Sequence, residues 1–246
     1  MNHGQERSDL MRRTFDDALR WIDAGTGLLL DTTSGWDEEE YLALSALPGW
    51  SRKHLVAHVA ANADALGNLV HWAATGAKTP MYSSPEQRNA DIEAGGARPS
   101  AELAAWLRES AERLATGIAG LDAERWRAEV VTAQGRTVPA TEIPWMRARE
   151  VCVHAVDLAA GAAFADLPAG FLAALADDIV AKRGGAPGSA MVLTTTDTGD
   201  RWALPGEGAS VTVTGPLAEV TAYLAGRPHT LTTADGSPAP TLPAWL

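Results

Sequence analysis

The chain has 246 residues, enough for one large domain or two small ones; 46% are hydrophobic and 21% charged, so a sizeable core is available. A net charge of −11 argues against a nucleic-acid partner, whose phosphates need lysine and arginine, and against an anionic membrane surface. It leaves room for a small anionic substrate, because one arginine in a cleft can override the global field.

The polar opening "MNHGQERSDLMRR" has no apolar signal core, and no apolar run approaches the ~20 residues a membrane helix needs. A cytoplasmic location is therefore expected. Residues 8–30 place Leu10, Phe15, Leu19, Ile22 and Leu28 at helical spacing. A second helix, 51–76, follows "LPGW" with Ser51 as its N-cap and ends at "ATGAKTP". The stretch 79–99 is a long connection with a short helix at 85–94. A third helix spans 100–120, with a capping-box-like opening at Ser100 after Pro99. A fourth spans 141–161, beginning near 142. Four helices and one long crossover make a four-helix bundle the simplest packing.

After about residue 165 the texture changes. A helix at 168–183 precedes "MVLTTTD", "RWALPG" and "ASVTVTG", whose β-branched residues and Gly, Asp and Pro boundaries signal short antiparallel strands. A last helix, 216–225, ends at Gly226-Arg227-Pro228 and leads to a Pro-rich extended tail. The fold class is α+β. The expected domains are a helical bundle over 1–165 and a small α+β domain over 166–246.

The chemistry concentrates on two helices. Glu150 and His154 lie four apart on one face of "MRAREVCVHAVDL", among Val151, Val153 and Val156. A carboxylate in apolar company needs compensation, since an unpaired buried charge is costly. His54 and His58 form a similar ladder on the second helix, with Asn62 one turn further. Facing helices of a bundle are where metal ligands are placed, and a His/His/carboxylate set suits a divalent transition ion, zinc first. Spacing alone also fits an ordinary Glu–His surface pair, and composition does not choose between His54 and His58. Cys152, the only cysteine, sits on another face of its helix and reads as a small buried hydrophobe. With no second cysteine there is no intramolecular disulfide, which fits a reducing compartment.

The segments "LPGWSRKHLVAHVAANADAL", "PMYSSPEQRNADIEAG" and "REVCVHAVDLAAG" resemble three hallmark segments of the mycothiol-dependent maleylpyruvate isomerase family, within the DinB-like metal-binding superfamily. The resemblance spans roughly residues 15–160 and continues loosely to "LAGRP". It implies a DinB-like four-helix bundle followed by a small α+β domain. It implies a zinc site made by His58, Glu150 and His154, leaving His54 as a neighbouring polar or packing residue. It also implies a functional arginine at Arg88 and a further candidate at Arg227; the latter also reads as an ordinary helix stop.

The implied reaction, in aromatic catabolism, is cis–trans isomerisation of maleylpyruvate to fumarylpyruvate by thiol addition and elimination. Mycothiol supplies the sulfur. The partners are thus a small-molecule substrate and a low-molecular-weight thiol, with no nucleic acid and no membrane; the oligomeric state is open between a monomer and a small homo-oligomer. Two other readings share the scaffold: a mycothiol S-transferase acting on another electrophile, and a non-catalytic metal- or ligand-binding regulator. The complete His/Glu/His set together with Arg88 favours an enzyme.

Overall fold

The structure, a computed structural model, describes residues 13–183 and 188–242. The expected helix start at residue 8, with Leu10, lies outside the described residues, as do the outer ends of both expected domains. Contacts divide the chain into two units: Ala18–Ala162, and Ala163–Leu246 together with the chain up to Asp17. No described helix is long and apolar enough to cross a membrane.

The first unit carries α1 (Phe15–Thr33) from Ala18 onward, α2 (Glu38–Leu42), α3 (Arg52–Thr75), α4 (Pro85–Gly96), α5 (Ser100–Ala119), the hairpin β1 (Glu129–Val131) and β2 (Thr137–Pro139), and α6 (Ile143–Asp157). α1 starts where Thr14 and Asp17 exchange side-chain-to-backbone hydrogen bonds of 2.9 and 3.1 Å. α3 runs through the centre of the bundle, and every residue from Leu55 to Ala63 is buried. Its Leu66, Leu69 and Val70 pack with Leu114 and Ile118 of α5, Val130 of β1 and Ile143 of α6, with Leu19 and Ile22 of α1 against them. Burying each large aliphatic side chain contributes about 1.5–3 kcal/mol, so this cluster fixes where α3 and α6 meet. α5 departs from expectation at its start. Pro99 is its N-cap, without a side-chain cap bond, and the Ser100 hydroxyl and amide instead bond the Glu38 carboxylate.

α1 approaches α6 unusually closely at Gly25. A Cβ there would sit 2.6 Å from Val151 Cγ2, 2.7 Å from Cys152 Sγ and 2.9 Å from Cys152 N. Nearby, the Trp21 and Trp145 rings meet edge-on at 5.8 Å, and Cys152 Sγ donates to Trp21 O at 3.4 Å. Burial pushes the Cys152 thiol up to about 12. It remains a protonated packing group.

The second unit contains α7 (Ala169–Arg183), β3 (Ser189–Thr195), β4 (Arg201–Leu204), β5 (Glu207–Gly215) and α8 (Leu217–Leu224). The strand order is β4-β3-β5. β4 pairs antiparallel with β3, but β5 pairs parallel with it, which corrects the wholly antiparallel expectation. The reason is the crossing at Pro205–Gly206. Leu204 ends opposite Met191 and Glu207 begins opposite Ser189, so the chain passes the start of β3 and pairs along its other edge.

Candidate metal centre

Capping fixes the register of α3. Ser51 Oγ accepts from the His54 N–H at 3.4 Å, and the Ser51 N–H donates to His54 Nδ1 at 3.3 Å. This capping box commits the His54 ring to the helix start, with its Nε2 3.7 Å from Glu93. One turn on, His58 is buried and faces α6. Arg52 holds the two helix ends together, its Nε donating to Leu158 O at 2.9 Å and its Nη2 to Ala159 O at 2.8 Å. The first turns of α3 therefore lie against the last turns of α6, and the two side-chain ladders meet.

His58 Nε2 lies 2.9 Å from Glu150 Oε2, and His154 Nε2 lies 3.4 Å from the same oxygen. One donor atom from each of His58, Glu150 and His154 falls within 4.8 Å of the others. Tetrahedral zinc with bonds of about 2.0–2.1 Å has ligand–ligand edges of about 3.4 Å, so the arrangement fits a divalent ion with small adjustments. The imidazoles meet edge-on, with centroids 5.0 Å apart, and Trp50 packs edge-on against His58 at 5.6 Å.

The electrostatics fit a cation as well. Burial raises the Glu150 carboxyl, but hydrogen bonds from His154 and His58, with the positive charge of His154, outweigh it and hold the group well below the usual range. Burial lowers His58, and Glu150 only partly compensates, so its imidazole stays neutral and can offer a lone pair. At His154, burial is overcome by Asp157 and Glu150, which raise it to about 9. A metal ion must displace that proton from Nε2, leaving the Nδ1–H on Asp157.

Two supporting residues were not singled out from the sequence. Asp157 Oδ2 lies 2.9 Å from His154 Nδ1, orienting the ring from behind. The signal was an acid three residues after a candidate ligand histidine. Arg147 is a fully buried guanidinium one turn before Glu150; its Nη1 donates to Val59 O at 2.8 Å and to Asn62 Oδ1 at 3.0 Å. Burial lowers it to about 10, against the opposing charges of Glu150 and Asp64, so it remains a cation. Asp157→Asn should keep the ring in place but weaken its support. Metal affinity is expected to fall about 10–100-fold in a chelator-competition titration; an unchanged affinity would remove Asp157 from this role.

The centre opens into a cleft of about 540 Å³ whose lining includes His58, Asn62, Tyr82, Arg88 and Glu150. Arg88, on α4, brings its Nη2 to 3.4 Å from His58 Nδ1, and its guanidinium lies 5.9 Å from the Tyr82 ring. Burial raises the Tyr82 hydroxyl, which keeps it a neutral donor. Arg227 belongs to the second unit. There its amide donates to Ala222 O at 2.9 Å after Gly226 at φ +69°, closing the end of α8, and its Nη1 donates to Ala225 O at 2.7 Å.

Comparisons with known proteins agree with this architecture. The profile described as "Mycothiol maleylpyruvate isomerase N-terminal domain" matches residues 22–159, and the "MDMPI C-terminal domain" profile matches 166–244. A crystal structure of the mycothiol-dependent maleylpyruvate isomerase matches with a TM-score of 0.89 at 40% identity, covering 95% of this chain and 98% of that chain. A crystal structure of a histidine-to-alanine mutant of that enzyme gives the same figures. A comparison with curated proteins returned no match. With both profiles and a near-full-length structural match in agreement, the chain belongs to the mycothiol maleylpyruvate isomerase family.

Proposed function

We propose that this chain is a mycothiol-dependent isomerase that converts maleylpyruvate to fumarylpyruvate, with a divalent metal, zinc first, held by His58, Glu150 and His154 of a bundle domain ending near residue 165. The observation that carries the reading is the meeting of these three groups at a cleft that also holds Arg88. Bound there, the metal would supply Lewis acidity that turns a thiol with an ordinary pKa of about 8.5 into a thiolate at neutral pH.

The chain's own residues do the rest. Addition of the thiolate to the conjugated double bond replaces it with a single bond and places the electron pair in an enolate. Rotation follows, and expulsion of the thiolate restores the double bond in trans. No thiol is consumed. Arg88 offers a planar fork that matches a carboxylate and favours the enolate charge. Tyr82, kept neutral by burial, can donate to the same anion. Arg227 enters this reading as a second candidate for the diacid, through the family resemblance.

The test is ultraviolet monitoring of maleylpyruvate on the zinc-loaded chain, with and without mycothiol. Turnover without thiol loss supports the isomerase; stoichiometric thiol loss would make it an S-transferase instead. Arg88→Ala should retain metal while kcat/KM for maleylpyruvate falls roughly ten- to a hundredfold, the size of a lost charged hydrogen bond. Unchanged kinetics would refute the anion-clamp role.

A further inference from the structure

Two polar groups of the bundle have no part in the chemistry above: the buried guanidinium of Arg147 on α6, and the amide of Asn62, one turn beyond His58 on the same face of α3. They meet. Arg147 Nη1 donates to Asn62 Oδ1 at 3.0 Å and to Val59 O at 2.8 Å. That contact settles which way the amide is turned. A guanidinium has only donors, so the Asn62 oxygen must face it and the NH2 group must face elsewhere.

The amide nitrogen is left for another acceptor. Among the described residues it has no hydrogen-bond partner, and it is not one of the unpartnered polar atoms sealed from solvent. Asn62 is 5% exposed and lines the cleft together with His58, Arg88 and Glu150, so its small accessible surface opens there. The result is a neutral donor, held by a buried anchor, one helical turn from a triad imidazole.

Such a donor suits one atom of the isomerisation. When the thiolate forms its S–C bond, the alkene electron pair moves through the conjugated ketone and onto its oxygen; expulsion of the thiolate returns the pair. That oxygen gains a negative charge and loses it again. An N–H group bonds the charged form more strongly than the neutral one. Because Arg147 has already oriented the amide, no reorganisation is needed as the charge develops.

We infer that Asn62 is a catalytic residue, donating to the ketone oxygen that becomes the enolate oxygen, and that Arg147 is its positioning residue. The inference rests on the isomerase reading above and leaves a substrate carboxylate to Arg88.

The test uses the zinc-loaded full-length chain, with maleylpyruvate kinetics alongside calorimetric binding of acetylpyruvate, which carries an equivalent ketone but no alkene and so cannot isomerise. Asn62→Ala should lower kcat/KM about 100-fold, mostly in kcat, and acetylpyruvate affinity three- to tenfold, with zinc content and Tm retained. Asn62→Asp keeps an acceptor for Arg147, so it serves if the alanine variant does not fold; it should lose at least as much. Arg147→Lys should lower kcat in the unmodified chain but not further in the Asn62→Ala chain; an equal effect in both removes its positioning role. Unchanged kinetics in either Asn62 variant overturn the inference, as does activity that falls only in step with zinc content. A loss confined to Asn62→Asp, with a folded and fully active Asn62→Ala, is charge repulsion and also overturns it. Acetylpyruvate binding that depends on Asn62 in a chain without turnover would defeat the isomerase reading and leave the donor standing.

Discussion

Replacing His58 or His154 with alanine should abolish metal retention and turnover together. Each imidazole meets Glu150 Oε2, at 2.9 and 3.4 Å, so removing either leaves two donors where a zinc site typically uses at least three protein ligands. The loss of affinity should exceed the 10–100-fold typical of a missing supporting partner. Elemental analysis after dialysis, with the maleylpyruvate assay on the same samples, checks both. His54→Ala is the internal control. That ring caps α3, so its loss should cost about 0.5–2 kcal/mol of stability while metal is retained. Metal lost from the His54 variant and kept in the His58 variant would reverse the assignment.

The second large effect is expected at an uncharged contact between α1 and α6. Gly25→Ala places a methyl 2.6 Å from Val151 Cγ2 and 2.9 Å from the Cys152 backbone nitrogen, inside the distances real side chains tolerate. Backbone cannot yield as a side-chain tip can, so α1 and α6 must separate. Overpacking of this kind typically costs about 1–3 kcal/mol, and the displaced helix carries Glu150 and His154. A drop of several degrees in Tm with weakened metal binding is the expected outcome. Gly27→Ala, where an added Cβ meets nothing within 4 Å, should show neither. Equal behaviour of the two variants would remove the close approach from the account.

What could be read from the sequence depended on how local each determinant is. The long helices were legible because one apolar face repeats over many turns, and Ser51 marks the start of α3 through a bond to its own neighbour. Glu150 and His154 were legible as a pair because four-residue spacing fixes a shared face. The choice of His58 over His54 came from the family resemblance. Its physical reason, a ring turned back onto Ser51, depends on backbone geometry that composition does not carry. Ser100 looked like a cap, but its hydroxyl is taken by Glu38, a partner distant in sequence. The β1–β2 hairpin escaped notice because strands of three residues are too short to show alternation. The parallel pairing of β3 and β5 was equally hidden, since strand direction is decided by the crossing at Pro205–Gly206. Arg147 is a buried cation whose partners, Val59 O and Asn62 Oδ1, lie on another helix.

The hairpin between β1 and β2 carries one further implication, for how such a protein could diverge. The groups placed around the triad stand on long helices locked by the core, where an inserted residue would rotate every later side chain off its face. The tip at 132–136 is a surface turn, where insertions are tolerated. Lengthening or recomposing that tip would reshape one wall of the cleft without disturbing α3 or α6, so a descendant could change what the cleft admits while inheriting its reaction centre intact.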